Sequence, residues 1–240
     1  MSDLEGDKEL ARDIEGVSAL AEPTRRALYL YVCAQPHPVS REQAAEAVGA
    51  AVHTAKFHLD RLEQEGLLES SYARTSGRTG PGAGRSSKLY RRSDREIAVS
   101  LPDRDYALAG KLMAQAITES ARTGEAVSKT LGRVATDAGA ALARDTDAAD
   151  ADDALEIARA VLRSQGYEPR WEGQRIVMAN CPFHDLAQAH TGLVCGMNHD
   201  LLCGFAESLA PGELDVVLDP APNRCCVTIG RRAREAQSNG

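Results

Sequence analysis

Residues 51–68 read AVHTAKFHLDRLEQEGLL, and the spacing of their apolar side chains predicts a helix with one buried stripe. Val52, Ala55, Leu59 and Leu62 recur at i, i+3, i+7 and i+10, which gathers them on one side of a helix with 3.6 residues per turn. The other side carries His53, Thr54, Lys56, His58 and Arg61, all donors or cations. A helix that is apolar behind and polar in front suits the major groove of DNA, where side chains reach base edges and phosphates. An ordinary amphipathic surface helix has the same pattern, so the flanking sequence decides.

Upstream, Ser40-Arg41-Glu42-Gln43 is a capping box, followed by Ala44, Ala45 and Val48 as a short apolar face and Gly49 as a stop. The result is a helix, a tight turn and the second helix. Downstream, Gly66, Leu67 and Leu68 lead into a strand at 69–72. A tip rich in glycine and arginine follows (Arg74, Gly77, Arg78, Gly80, Pro81, Gly82, Gly84, Arg85), then a returning strand at 88–92. Two short strands around a basic tip make a wing, in which glycine lets the backbone approach a surface and arginine supplies charge for phosphates or a narrow minor groove.

These pieces predict a winged helix-turn-helix over residues 18–98, preceded by a flexible acidic tail at 1–17. Its first helix opens at Glu22-Pro23-Thr24, with proline suited to the first turn. Leu28, Tyr31 and Val32 form that helix's inner face, with Cys33 as a small buried hydrophobe. The expected DNA contacts are Thr54, Lys56, His58 and Arg61 on the helix and Arg74, Arg78 and Arg85 on the wing, the arginines mainly to phosphate. Lys88, Arg91 and Arg92 are read as solubilising the hairpin.

The chain has 240 residues and a net charge of −7, enough length for two modest domains and a sign that at first opposes nucleic acid. The charge is uneven, however. Residues 23–95 hold 12 Lys and Arg against 7 Asp and Glu, residues 1–22 hold 2 against 7, and residues 96–240 hold 14 against 21. Positive charge therefore sits on the winged unit. No apolar run is long enough for a bilayer and no basic-then-apolar leader is present, so a soluble, cytoplasmic protein without a membrane partner is expected. No enzyme activity is expected either. Six cysteines in such a compartment serve as core, metal or redox residues more often than as disulfides.

Past the wing, Ala109, Leu112, Met113, Ala116 and Ile117 form one helical stripe, and Val127, Leu131, Val134, Ala138 and Leu142 form another. Residues 99–144 are therefore expected to be a helical dimerisation segment, a two-fold protein matching a two-fold DNA site; packing within one monomer is the other use of such faces. An Ala/Asp run at 145–153 reads as a linker. A small α+β domain follows at 154–230, with a helix carrying Leu155, Ala158, Val161 and Leu162 and ended by Gly166. It continues with strands at 170–171 and 174–179, helices at 182–190 and 195–209, strands at 213–218 and 225–229, and a tail at 231–240. The fold class is α+β: a winged helix-turn-helix, a helical dimerisation segment and a C-terminal cluster-binding domain.

Five of the six cysteines fall between positions 180 and 226. Cys181 precedes Pro182, and Cys195 opens the next predicted helix, so both thiols are expected near helix starts, where unpaired amides and the macrodipole favour thiolate. With a third sulfur from Cys225 or Cys226 they would suit a cation that prefers sulfur, an iron–sulfur cluster or zinc. Side chains alternate along a strand, so one of Cys225 and Cys226 is expected to face the centre and the other the core; the spacing does not choose between them. Cys203 lies two turns beyond Cys195, roughly 12 Å along a helix, and reads as a packing residue. His184 is the candidate fourth ligand, and a plain surface histidine fits the same position. Cys181-Pro182-Phe183-His184 also imitates a low-pKa redox thiol, which makes a thiol oxidoreductase the rival from another class, although no resolving cysteine stands two residues on.

The N-terminal half resembles the winged-helix regulators of the ArsR superfamily. From about residue 18 to 229 the chain resembles the SufR-type bacterial repressors, through NCPFH at 180–184, LVCGMN at 193–198 and RCCV at 224–227. That resemblance implies a homodimer that binds a [4Fe-4S] cluster through C-terminal cysteines, represses iron–sulfur assembly genes, and holds its DNA operator more tightly when the cluster is present. A zinc-binding winged-helix regulator is the alternative within the same class.

Overall fold

In the computed structural model, residues 2–73, 86–144 and 154–232 are described, with side chains from residue 8 onward. Two units divide the chain, Met1–Val99 and Ser100–Gly240. The first begins with a helix, α1 (Ser2–Ala19), where the sequence predicts a flexible tail. Tertiary contacts overrule the polar composition. Asp13 accepts from Arg95 at 2.6 Å, Ala19 is buried in the core of the unit, and a Cβ on Gly16 would stand only 2.7 Å from Ile97. Anchoring at one end stabilises a helix that would be marginal alone.

The next helix, α2 (Pro23–Cys33), starts where the Glu22 carboxylate accepts the free amides of Thr24 and Arg25 at 3.0 and 2.6 Å. A short strand, β1 (Val39–Ser40), leads into α3 (Arg41–Val48), whose capping box forms as predicted: Gln43 N–H donates to Ser40 Oγ at 3.2 Å and Ser40 N–H to Gln43 Oε1 at 2.8 Å. Gly49 ends α3 with φ 68°, a left-handed conformation that glycine adopts without a Cβ clash. The chain turns directly into α4 (Val52–Gln64). Antiparallel strands β2 (Leu68–Ala73) and β3 (Ser87–Arg92) pair from Leu68↔Arg92 to Ala73↔Ser87, and β1 joins the far side of β3. Leu28, Ala55, Leu59, Leu62, Leu68 and Tyr90 close the core between helices and sheet.

The second unit runs α5 (Tyr106–Thr123), α6 (Val127–Arg144), α7 (Ala154–Ser164), β4 (Pro169–Glu172), β5 (Arg175–Met178), α8 (His184–Ala189), α9 (Thr191–Leu209), β6 (Leu214–Leu218) and β7 (Val227–Arg231). Its sheet is antiparallel, in the order β4-β5-β7-β6. Helix α9 is buried almost all round, through Val194, Met197, Leu201, Leu202, Phe205 and Leu209, so it must be covered on several sides. The sheet supplies one cover and α6 another. Ala109, Leu112 and Ala116 of α5 and Leu131, Val134 and Ala135 of α6 lie in that same core.

The expected separate helical segment at 99–144 is therefore part of the C-terminal unit, because α9 needs those faces; Ile117 and Val127 of the predicted stripes are left exposed. The predicted linker at 145–153 lies outside the described residues, and Arg231, assigned to the tail, ends β7. Among the described residues no helix is long and apolar enough to cross a membrane.

Candidate nucleic-acid interface and cysteine centre

Helix α4 buries Ala55, Leu59 and Leu62 and turns its opposite face outward. Lys56 and Arg61 are exposed there, Arg61 bridging Glu65 at 2.5 Å, and Thr54 is half-buried at the edge. Two predictions for this helix fail. Val52, assigned to the buried stripe, is exposed, because at the first helical position it overhangs the end of the core. His58, assigned to the DNA face, is turned inward, with 12% of its side chain exposed and Nε2 3.6 Å from the Glu22 carboxylate. An outward residue that the sequence reading passed over is Phe57, 67% exposed. The signal was available, since positions 53, 57 and 61 form the i, i+4, i+8 row opposite the buried stripe. Exposed Tyr72, on the wing strand, was likewise missed.

A polar cluster fixes the wing to this helix. Lys88 Nζ donates to Asp60 Oδ1 at 2.8 Å and to Glu63 Oε2 at 2.5 Å, and the Tyr90 hydroxyl donates to Asp60 Oδ1 at 2.7 Å. Burial pushes the Asp60 carboxyl up, but the Lys88 and Tyr90 hydrogen bonds outweigh it and hold the group below the usual aspartate range. Lys88 thus joins strand to helix, beyond solubilising the hairpin, and Arg91 bridges Glu69 at 2.6 Å. Arg74, Arg78 and Arg85 of the wing tip lie outside the described residues.

In the C-terminal unit, four of the predicted sulfurs come together from three separate stretches of chain. Cys195 Sγ and Cys226 Sγ are 2.6 Å apart, and the Cys181 and Cys225 thiols lie near enough to shift each other's ionisation, Cys181 down and Cys225 up. The pairs sense one another electrostatically, Cys195 through Cys181 and Cys225 through Cys226. Cys225 and Cys226 both take part, contrary to the expected alternation, because both precede β7 and are free of the pleat. Cys203 stands apart from the four, with its sulfur 3.5 Å from His199 Nε2.

The helix-start expectation holds for neither cysteine as stated. α9 begins at Thr191, which places Cys195 in its second turn, and burial followed by the Cys226 thiol pushes Cys195 up to about 12. Cys181 lies in the turn before the short helix α8, with His184 N–H on its carbonyl at 3.1 Å. Its thiol is brought down to about 7 by the neighbouring Cys225 thiol, against burial, with further help from the Phe183 amide and the Arg104 charge. His184 Nε2 pairs with Gln188 at 2.9 Å. It lines, with Arg104, Cys181 and Arg224, a cavity of roughly 370 Å³.

Donors surround the sulfurs. Asn198 Nδ2 donates to Cys225 Sγ at 3.4 Å, while its Oδ1 accepts from the buried Tyr167 hydroxyl at 2.6 Å. Asn198 follows Cys195 by three residues on α9, a same-face spacing that would have flagged it. The cysteine turn is also tied to the start of α5. Asn180 Nδ2 donates to Asp103 O at 2.8 Å, Asp105 N–H to Pro182 O at 3.0 Å, and Arg104 Nη1 to both Asn180 Oδ1 and Cys181 O.

As a donor set this is four soft sulfurs with amide donors around them, a chemistry suited to iron–sulfur clusters or zinc. Among the described residues no group of three or more His, Cys, Asp or Glu side chains stands ready to hold a single ion. Sulfurs around one tetrahedral zinc stand about 3.8 Å apart, so the Cys195–Cys226 pair must part to admit a metal.

A family described as a helix-turn-helix domain matches residues 20–71, the stretch that runs from α2 through α4 into β2. No curated protein and no solved structure matches the chain. With the wing folded beside the matched helices, the N-terminal unit is the DNA-binding part of a winged-helix transcriptional regulator.

Proposed function

We propose that this DNA-binding regulator is a dimeric repressor of iron–sulfur assembly genes, and that its hold on an operator is set by a [4Fe-4S] cluster bound by Cys181, Cys195, Cys225 and Cys226. The observation that carries the reading is the contact of the Cys195 and Cys226 sulfurs, distant in sequence, with Cys181 and Cys225 near enough to shift each other's ionisation. Core cysteines of a regulator have no need to meet. When bound, the cluster supplies a redox- and oxygen-sensitive centre whose ligation free energy becomes folding free energy for the chain around it.

The protein's own residues then do the rest. Cys181 holds the turn at 180–182, Cys195 the second turn of α9, and Cys225 with Cys226 the entry to β7, so ligation fixes three elements relative to one another. Asn198 donates to the sulfur of Cys225 and stabilises its thiolate. The 180–182 turn bonds residues 103–105, which continue directly into α5 on one side and back to the wing strands on the other. A change at the sulfurs thus reaches the connection to the reading unit through a few hydrogen bonds. A coupling of about 1–3 kcal/mol changes DNA affinity by about 5- to 150-fold.

Purification without oxygen tests this reading. The expected product is a brown protein containing iron and acid-labile sulfide, whose colour and iron are lost when Cys181 or Cys226 is replaced by serine. A colourless protein with one zinc per chain would replace the cluster with zinc. Thiol–disulfide exchange that persists in metal-free protein would point to an oxidoreductase.

A further inference from the structure

Phe57 is an aromatic residue placed where the recognition helix has no core to fill. It is 67% exposed on the face opposite Ala55, Leu59 and Leu62. His53 stands one turn before it and Arg61 one turn after, both exposed, with Lys56 alongside. Its ring approaches its neighbour His58 edge-on, centroids 5.3 Å apart. An apolar ring is thus held at the centre of a polar, cationic face, on the last helix within the stretch that the helix-turn-helix family matches.

The floor of the major groove offers hydrogen-bond donors and acceptors at every base pair, and a single apolar group, the 5-methyl of thymine. An aromatic ring makes no hydrogen bond to a base edge. Pressed against guanine, cytosine or adenine it would strip water from polar atoms and return nothing. Against a thymine methyl it buries apolar surface on both sides. We propose that Phe57 is a specificity-determining residue that takes the 5-methyl of a thymine in the operator, while Lys56 and Arg61 hold the flanking phosphates. The proposal rests on the DNA-binding assignment of the N-terminal unit and is independent of the metal.

The test uses the full chain, isolated without oxygen. Binding sites are first selected from random duplex DNA. Each thymine of the selected site is then replaced by deoxyuridine, which removes the methyl and leaves the pairing edge unchanged, and Kd is measured at one fixed salt concentration. For the wild type, deoxyuridine at one position per half-site should weaken binding by about fourfold, the worth of one buried methyl. Phe57→Ala should bind the thymine duplex more weakly and be insensitive to that replacement, whereas Phe57→Leu should keep part of the sensitivity. An exposed position makes both variants foldable, and a circular dichroism spectrum checks it. Full deoxyuridine sensitivity retained in Phe57→Ala, or no sensitive thymine in the wild type, overturns the assignment of Phe57. Failure to enrich any sequence overturns the DNA-binding reading beneath it.

Discussion

Gly139 of α6 lies so close to Leu201 of α9 that a Cβ on the glycine would stand 1.8 Å from the Leu201 carbonyl oxygen. The contact is reciprocal, for a Cβ on Gly204 of α9 would stand 2.0 Å from the carbonyl of Thr136 on α6. The two helices therefore touch backbone to backbone, and the position of α9, which carries Cys195 and Asn198, depends on both glycines.

Gly139→Ala should accordingly force α6 from α9 and destabilise the C-terminal unit by about 3 kcal/mol, the upper range for overpacking. A Cβ on Gly110, exposed in the middle of α5, would meet nothing within 4 Å. Gly110→Ala should stabilise by about 0.5–1 kcal/mol through helix propensity. Urea unfolding followed by the fluorescence of Trp171, the single tryptophan of the chain, reports on this unit. Equal effects of the two substitutions would refute the packing account.

Periodicity and caps are local, so the capping box at Ser40, the stripe of Ala55, Leu59 and Leu62, and the two wing strands were legible. His58 was misread because its partner Glu22 belongs to another helix, and α1 because Asp13 meets Arg95 far along the chain. The merging of α5 and α6 with the C-terminal fold reflects the demand of α9 for cover, which no single segment displays. Convergence of the cysteines was foreseeable from their clustering and from the resemblance. That Cys226 meets Cys195 follows from where β7 begins, and local patterns fix such boundaries poorly.

Asp60 gives a pH-dependent prediction. Its folded pKa lies below the ordinary value of about 3.9. The stability it contributes is therefore complete above that value and disappears as pH falls through the lower folded one. Asp60→Asn should destabilise the winged unit by about 1 kcal/mol near pH 7, a modest figure because the cluster with Lys88 is partly open to solvent. At a pH below the folded value the gap should close. Hydrogen exchange of the α4 amides in the full chain measures it, and a gap that is constant down to pH 2 would remove Asp60 as its source.

The thiols of the metal-free protein should react in a set order. Cys181, held at about 7, is ionised before Cys195, pushed up to about 12, and before the still higher Cys225. Only thiolate attacks an alkylating agent. Iodoacetamide at pH 7.5 should thus label Cys181 before Cys195 or Cys225, with a rate that falls as pH drops through about 7. Peptide mapping reads the order, and labelling of Cys195 ahead of Cys181 would contradict the hydrogen-bond scheme.

Arg104 supplies a test of the communication proposed between the cysteine turn and the winged unit. Its guanidinium donates to Asn180 Oδ1 and to the carbonyl of Cys181 from the residues that open α5, and none of its bonds reaches a sulfur. Arg104→Ala should leave all four thiols in place, so iron and sulfide content stay near wild type. It should also leave the winged unit intact, so metal-free protein binds DNA as before. What should shrink is the ratio between the two affinities, from the roughly 5- to 150-fold expected of a coupled pair of sites towards one. Loss of one hydrogen-bonded latch leaves Asn180 on Asp103 and Asp105 on Pro182, which makes a partial reduction the expected result and the double variant with Asn180→Ala a larger one. Affinity ratios unchanged in both variants would place the communication elsewhere than in the contact between residues 103–105 and 180–182.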